Sequence, residues 1–296
     1  MSLDSARGSL SKAVGMDAPA NALDEPAVLF FDTDGTLVWM DEDDMREDGA
    51  EFNDFGPSPL VQDAFKRLHE HGHLPILCTG RPLPLIPESL HALGFAGYVL
   101  GAGACIMFNN EIVYEAIIPR DTKLRAADIL LRGDGAVLLE SRTTPVFLSK
   151  TRETEPWFAG IPVASSVEEL CEIAPDLPFS KMSSAAGGNP FNDEFRAFAA
   201  GEGHLAGFNM GLAWEFCLEG VDKGSGVKRA LEYLGRDAHR TFAFGDSEND
   251  RPMFEAVETS VAMGNAMDSI KAQADFVTTH AKDDGIPVAL RHFGLI

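Results

Sequence analysis

The segment FFDTDGTL at residues 30–37 carries two carboxylates, Asp32 and Asp34, directly before a glycine. The apolar run from Ala27 to Phe31 is typical of a buried parallel strand, so both acids follow the carboxyl end of a strand. Open α/β sheets bind their ligands at that edge. Two carboxylates about 4 Å apart repel each other by roughly 4 kcal/mol at an effective dielectric of about 20. The pair therefore requires a cation, a proton or both, which favours chemistry over a structural turn.

Three further polar segments complete a possible site. Two of them follow predicted apolar strands and one opens a predicted helix, so a parallel sheet can bring all of them to one edge. With the first segment, they are DTDGT (32–36), CTGR (78–81), DKGSG (222–226) and GDSEND (245–250). They supply a carboxylate nucleophile, a hydroxyl, an ammonium and additional carboxylates. This set suits phosphoryl transfer through a magnesium-bound aspartyl phosphate, because Mg²⁺ prefers hard oxygen ligands and an ammonium neutralises a transferring phosphoryl group.

The elements that would position these segments alternate between strand and helix. The first part of the chain predicts strand, helix, strand, helix, strand and then a hairpin that turns at Asn109–Asn110. From about Pro119 the pattern changes to that of an α+β unit, and from Asp222 the first pattern resumes. We therefore predict an α/β fold with a doubly wound parallel sheet and an inserted α+β domain. The predicted helices include 84–93, 247–257 and 267–274.

With these four motifs in this order, the chain resembles the haloacid dehalogenase (HAD) superfamily of phosphatases, specifically its Cof-like branch with a large α/β cap. The resemblance extends from about residue 27 to the end and includes the tail segment ADFVTTHAKDDGIPVAL. It implies a Rossmann-like core formed by residues 26–117 and 220–296, and a cap domain formed by residues 118–219.

The resemblance also implies roles for the acids. Asp32 would be the nucleophile and a magnesium ligand. Asp34 would protonate the leaving oxygen, then activate water, and its backbone carbonyl would bind the metal. Asp246 would bind Mg²⁺ directly.

The remaining motif residues would serve the phosphoryl group and the metal. By the same resemblance, Thr79 and the Gly80 amide would bind the phosphoryl oxygens and Lys223 would neutralise them. Asn249 and Asp250 would support the metal site. Ser247 with Asp250 three residues later also fits a helix capping box, so a purely structural use of Asp250 stays open.

Two features depart from the family pattern. The third strand of the family usually ends in Asn-Gly-Ala, but Ala102-Gly103-Ala104 stands here, so the asparagine has no counterpart. The segment 41–54 after the nucleophile is longer than usual and strongly acidic. It is not a calcium loop, because Arg46 and Phe55 occupy positions where ligands are required.

Composition narrows the class of partner. The chain has 296 residues and a formal net charge of −22, which argues against nucleic acid and anionic membranes. Its four cysteines include no CxxC pair and are expected to be reduced thiols. We expect residues 1–25 to be a disordered tail, and they lack the apolar core of a signal peptide. No apolar stretch approaches the length of a membrane span, so we expect the protein to be cytoplasmic.

The sequence thus predicts a magnesium-dependent phosphatase of a small phosphorylated metabolite, with sugar phosphates as candidate substrates. Two alternatives stay open, a phosphomutase with the same residues and a metabolite-binding regulator with slow turnover. Substrate specificity is expected on the cap, and the oligomeric state does not follow from the sequence. The candidate specificity residues are the cap cations Lys123, Arg125, Arg142, Lys150, Arg152 and Lys181.

Overall fold

The structure is a computed structural model that describes residues 25–39, 56–154, 160–184, 190–209 and 214–296. The predicted tail, apart from Glu25, and the acidic segment 41–54 lie outside these ranges. In chain order, the strands are β1 (Val28–Phe31), β2 (Leu74–Cys78), β3 (Gly97–Leu100), β4 (Cys105–Phe108), β5 (Glu111–Glu115), β6 (Ala136–Glu140), β7 (Val146–Ser149), β8 (Val163–Ala164), β9 (Lys181–Ser184), β10 (Leu205–Asn209), β11 (Trp214–Leu218), β12 (Thr241–Gly245), β13 (Thr259–Ala262) and β14 (Phe276–Val277). The helices are α1 (Pro59–Glu70), α2 (Glu88–His91), α3 (Arg120–Leu130), α4 (Val167–Ile173), α5 (Asp193–Ala200), α6 (Lys223–Leu234), α7 (Arg251–Phe254), α8 (Asp268–Lys271) and α9 (Gly285–His292).

The first sheet has the strand order β14-β13-β12-β1-β2-β3-β4-β5. Its strands pair in parallel from β14 to β3, and β4 and β5 add an antiparallel hairpin at one edge. The hairpin turns at Asn109 and Asn110, whose φ angles of 52° and 61° are the left-handed values of a tight two-residue turn. The predicted doubly wound sheet is therefore confirmed.

A second sheet, with the order β10-β11-β9-β6-β7-β8, is formed by residues that lie between the two halves of the first sheet in the sequence. Its strands pack with α3, α4 and α5 around one buried cluster, to which these helices contribute Ala126, Leu170 and Phe195. We call β6–β11 with α3–α5 the cap. The core residues of the first sheet form separate clusters, so each sheet has its own hydrophobic core.

Aromatic packing anchors the strand that precedes Asp32. The Phe31 ring packs on Phe244 of the neighbouring strand at a centroid distance of 4.6 Å and on Phe65 of α1 at 4.9 Å. Helix α1 begins after Ser58, whose hydroxyl accepts a hydrogen bond from the Val61 amide. The end of β1 is therefore held from two sides by buried rings.

Several predicted helices are shorter in the structure. In the predicted helix 84–93, residues Leu83–Leu85 form a 3₁₀ turn and α2 begins only after Pro87, because proline lacks an amide donor and disfavours helical geometry in the residue before it. In the predicted helix 247–257, a 3₁₀ turn at Glu248–Asp250 precedes α7. None of the helices in the described ranges combines the length and the hydropathy that a bilayer-spanning segment needs.

Candidate active site

Residues that follow β1, β2 and β12 meet at one edge of the first sheet. Phe31 pairs with Leu77 on one side and with Phe244 on the other, so these three strands run level with one another. Each strand is followed within two residues of this level by a motif residue. These residues are Asp32, Thr79 and Asp246.

The Lys223 ammonium joins two carboxylates of the site. Lys223 is the first residue of α6, whose N-cap Asp222 accepts a hydrogen bond from the Ser225 amide. Its Nζ donates to Asp32 Oδ1 and to Asp250 Oδ1, both at 2.6 Å, and all three side chains are buried. Burial opposes the charge on Lys223, but the Asp250 and Asp32 carboxylates hold its pKa well above the usual value. Lys223 is therefore a fixed positive charge beside Asp32.

Asp250 has both a structural and an electrostatic function. Its Oδ2 accepts hydrogen bonds from the Asp246 amide at 2.8 Å and from the Ser247 amide at 3.0 Å. With Ser247 it forms the capping box that the sequence allowed. Its Oδ1 meanwhile pairs with Lys223. Asp250 thus orients the turn that carries Asp246 and also fixes the Lys223 side chain.

Asp246 carries a polar atom without a hydrogen-bond partner among the described residues. Its Oδ1 is buried and accepts no hydrogen bond from the described part of the chain. Burial, with the Asp250 and Asp32 carboxylates adding to it, raises the pKa of Asp246 to about 9. Gly35 allows this arrangement, because a Cβ at Gly35 would lie 2.3 Å from Asp246 Oδ2. A buried carboxyl oxygen that accepts no hydrogen bond is a candidate ligand for a cation.

The carboxylates form a cluster that fits a divalent cation. Candidate ligand oxygens of Asp32, Asp246 and Asp250 all lie within 4.8 Å of one another. Burial raises the pKa of Asp32 to about 7, with the Lys223 ammonium opposing the rise and the Asp250 and Asp34 carboxylates adding to it. Crowded, desolvated oxygens of this kind are the hard ligands that divalent cations bind.

The formal charge of the site matches such a cation. The four carboxylates of residues 32, 34, 246 and 250 face two cations, Lys223 and Arg81. The site therefore has a formal charge of −2 when all four acids are ionised. An uncompensated charge of this size in a buried site is unfavourable, and a divalent cation would cancel it.

Asp34 is paired with Arg81, a contact that the sequence analysis did not anticipate. The Arg81 guanidinium donates from Nε to Asp34 Oδ2 at 2.9 Å and from Nη2 to Asp34 Oδ1 at 2.5 Å. Arg81 is buried, whereas the Asp34 side chain is 44% exposed. The Asp34 carboxylate is therefore held in one orientation and still faces solvent. The only sequence signal for this pair was the position of Arg81 directly after Thr79-Gly80.

Thr79 and Gly80 form a short loop after β2. The Thr79 hydroxyl accepts a hydrogen bond from the Arg81 amide at 3.1 Å, which leaves its proton free for another acceptor. A Cβ at Gly80 would lie 3.9 Å from Asn249 Nδ2, so Asn249 faces this loop. On its other side, the Gly80 carbonyl accepts a hydrogen bond from Lys181 of the cap at 2.7 Å.

The structure gives different surroundings to the six cap cations that the sequence analysis named as candidate specificity residues. Among the described residues of this set, Lys181 contacts a motif loop, through the Gly80 carbonyl. Lys123 is buried and donates to the Leu177 carbonyl within the cap. Arg125, Arg142 and Arg152 pair with acids other than the motif acids, and Lys150 is exposed.

Asn265 is a further residue that the sequence analysis missed. Its Nδ2 donates to the Gly35 carbonyl at 2.7 Å, and its Oδ1 accepts from the Ala281 amide at 2.9 Å. Asn265 thus ties the loop after Asp34 to the final part of the chain. Because Gly35 and Asn265 are 230 positions apart in the sequence, only the fold relates them.

The start of α6, and with it Lys223, depends on Gly103. Gly103 has a φ of +96°, and a Cβ there would lie 2.1 Å from the Asp222 carbonyl oxygen. The neighbouring Ala102, which replaces the asparagine of the family pattern, also has a left-handed φ of 54°. The α6 N-terminus therefore packs directly on this turn.

Gly103→Ala is expected to lower the free energy of unfolding by about 2–4 kcal/mol, because a backbone carbonyl cannot yield space as a flexible side chain can. Urea denaturation followed by circular dichroism measures this loss. Gly72→Ala is the control for the left-handed conformation alone, since φ is +76° and a Cβ added there would have no atom of the described chain within 4 Å apart from those of residues 71–73. Equal losses in the two variants would contradict the proposed close contact.

Comparison with known proteins identifies the family. A family model for haloacid dehalogenase-like hydrolases matches residues 29–290. The chain belongs to this family. The HAD resemblance carried by the four motifs is thereby confirmed, and the chain is a HAD-superfamily phosphatase.

Individual relatives span nearly the whole HAD chain. A phosphoglycolate phosphatase of Thermoplasma volcanium is 35% identical over 266 residues, which cover 90% of this chain and 97% of that protein. The Bacillus subtilis protein YkrA, which carries a provisional phosphatase name, is 28% identical over 277 residues, with 91% and 98% covered. A solved HAD subclass IIB sugar phosphatase aligns with a TM-score of 0.72 at 23% identity and covers 91% of this chain and 100% of that chain. At this identity, the last similarity shows the fold.

Proposed function

We propose that this HAD phosphatase requires Mg²⁺ and hydrolyses a sugar phosphate or a similar small phosphorylated metabolite, with Asp32 as the nucleophile. The observation that carries the proposal is the buried Lys223 ammonium, 2.6 Å from Asp32 Oδ1. A carboxylate that attacks a phosphate dianion must overcome the repulsion of like charges, and a fixed ammonium lowers that repulsion.

The Mg²⁺ ion would be held by the Asp32 and Asp246 carboxylates and the Asp34 carbonyl, with Asn249 and Asp250 in support. Asp246 Oδ1, which accepts no hydrogen bond within the described ranges, supports this assignment. When bound, the ion supplies positive charge that neutralises the phosphoryl oxygens during transfer.

Thr79, Gly80 and Lys223 would hold the substrate phosphate. The Thr79 hydroxyl proton and the Gly80 amide would each donate to a phosphoryl oxygen, and Lys223 would add positive charge from the other side. In the first step, an Asp32 oxygen attacks phosphorus and the bond from phosphorus to the leaving oxygen breaks. Asp34 enters this step protonated and gives its proton to that oxygen, so the alcohol leaves neutral and Asp34 becomes the carboxylate that Arg81 holds.

The second step restores the enzyme. Asp34, now a carboxylate, takes a proton from water, and the water oxygen attacks the phosphorus bound to Asp32. The bond between phosphorus and the Asp32 oxygen breaks, which releases inorganic phosphate and returns both acids to their starting states. The partial exposure of Asp34 supports this role, because its carboxylate is in reach of solvent water.

Sugar phosphates are favoured over acidic substrates by the charges at the cap side of the site. Lys181 at the Gly80 loop is flanked by Glu140 and Glu215, at 3.1 Å and 2.5 Å from its Nζ. One cation between two acids leaves a formal charge of −1, which suits hydroxyl groups better than a second anionic group. The similarity to a sugar phosphatase of the same fold supports this choice, whereas phosphoglycolate, named for another relative, carries a carboxylate.

A phosphate-release screen tests the proposal. Sugar monophosphates, sugar bisphosphates, phosphoglycolate, nucleotides and cofactor phosphates are each assayed with Mg²⁺ and with EDTA. We expect sugar monophosphates to have the highest kcat/KM and all turnover to stop in EDTA and return with added Mg²⁺. Release that is unchanged by EDTA would contradict the metal requirement.

Two results would favour the alternatives. A phosphomutase would give an isomer of the substrate when a bisphosphate activator is added, in place of free phosphate. Negligible Mg²⁺-dependent release from every ester would favour a metabolite-binding regulator.

A further inference from the structure

Lys181 is a buried cation whose hydrogen-bonding capacity is used up. It is 2% exposed, and its Nζ contacts Glu215 Oε1 at 2.5 Å, Gly80 O at 2.7 Å and Glu140 Oε1 at 3.1 Å. An ammonium group has three N–H donors, and these three acceptors match them. In this arrangement Lys181 has no donor left for a substrate, so it does not act as a substrate-binding cation.

The cluster around Lys181 is built from three neighbouring cap strands. Glu140 ends β6, Lys181 begins β9 and pairs with Glu140 in register, and Glu215 lies on β11. Burial raises the pKa of Glu140, which also accepts a hydrogen bond from Ser183 Oγ at 2.6 Å. A cluster that served only to stabilise the cap would need no partner in the first sheet. Its contact with Gly80 therefore points to a function at the loop.

The peptide bond between Gly80 and Arg81 connects this contact to two proposed catalytic groups. The Gly80 carbonyl and the Arg81 amide belong to one planar peptide unit, so fixing one end fixes the other. The Arg81 amide donates to Thr79 Oγ1 at 3.1 Å, and the Arg81 side chain makes the two-point contact with Asp34. A single peptide unit thus relates Lys181 to the Thr79 hydroxyl and to the Asp34 carboxylate.

We propose that Lys181 is a positioning residue, which holds the Gly80–Arg81 peptide from the cap and thereby orients the Thr79 hydroxyl and the Arg81–Asp34 pair. This inference rests on the proposed function, because that function gives Thr79 and Asp34 their roles. It makes turnover depend on the cap through a contact with the protein backbone. The cap therefore contributes to the chemical step as well as to substrate choice.

A double-mutant cycle tests whether Lys181 acts through Thr79. Lys181→Met and Thr79→Val are each expected to lower kcat by about 10- to 100-fold, by analogy with the loss of one oriented donor, with a smaller change in KM. The double variant is expected to lose no more than the more severe single variant, because both changes disrupt one chain of hydrogen bonds. Losses that multiply, or an unchanged kcat in Lys181→Met, would overturn the inference.

Two further variants separate positioning from folding. Lys123→Met removes the other buried cap lysine, whose ammonium donates to the Leu177 carbonyl within the cap, and should leave kcat unchanged. Lys181→Met leaves two buried acids unpaired and can impair folding, so the triple variant Lys181→Met/Glu140→Gln/Glu215→Met removes all three charges. It should fold and show the same loss of kcat as Lys181→Met. A triple variant with wild-type kcat would overturn the inference.

Binding of inorganic phosphate in the presence of Mg²⁺, measured by calorimetry, gives a readout that does not depend on turnover. Lys181→Met and Thr79→Val should each raise the Kd for phosphate, and their combination should raise it no further. Absence of turnover in the wild-type protein would refute the proposed function alone, and the binding cycle would then decide the inference. Independent effects on Kd would reject it.

Discussion

Asp32→Asn is expected to lower kcat for a sugar phosphate by about 10⁴-fold or more, because an amide cannot attack phosphorus as a carboxylate does. Phosphate release under saturating substrate and Mg²⁺ measures the effect. The fold should persist, since the asparagine has the same shape and its substitution removes one of several crowded negative charges. Circular dichroism and thermal unfolding check this point.

A matched control is Asp176→Asn, which makes the same change at an exposed position of the cap and should leave kcat as in the wild type. Rapid acid quenching of a reaction with labelled substrate tests directly whether the phosphoryl group becomes bound to the protein. Label should remain on the wild-type protein and be absent from Asp32→Asn. Residual turnover within about tenfold of the wild type would remove Asp32 from the nucleophile role.

Lys223→Met is expected to lower the free energy of unfolding by about 3–5 kcal/mol, because it leaves the buried Asp32 and Asp250 carboxylates without their shared cation. It should also abolish measurable turnover. Urea denaturation in EDTA measures the stability without contribution from a bound metal. Lys228→Met, at an exposed position of the same helix, controls for the loss of a lysine from α6.

The double variant Lys223→Met/Asp250→Asn separates these two effects. Removing one of the unpaired acids should recover part of the lost stability, and kcat should stay at the background level. If Lys223→Met unfolds at the wild-type urea concentration, the buried ion pairs contribute nothing and the electrostatic account of the site is wrong.

The strands of the first sheet were predictable because each is a short apolar run bounded by turn residues. The apolar run TFAFG at 241–245, for example, forms β12 over its whole length. β8 was not predicted, because two residues, Val163–Ala164, carry no detectable periodicity. The helix predicted at 267–274 spans only Asp268–Lys271 in the structure, because the spacing of apolar residues does not define the residue at which a helix ends.

The candidate site was predictable as far as each motif followed a strand or opened a helix. The sequence indicated that Asp32, Asp246 and Lys223 could meet, and these residues lie together in the structure. It could not indicate that Arg81 pairs with Asp34, because the two are 47 positions apart and only the order of β1 and β2 brings them together. For the same reason, Lys181 could not be distinguished from the other cap cations.

The cap leaves and rejoins the first sheet at one place. Ala116, which precedes the cap in the sequence, and Val221, which follows it, pack with Ala104 in one small cluster. A segment with adjacent ends can be replaced without a change in the strand order around it. Recombination at these two points could therefore exchange the cap while the strand order that places Asp32 beside Lys223 and Asp246 stays the same.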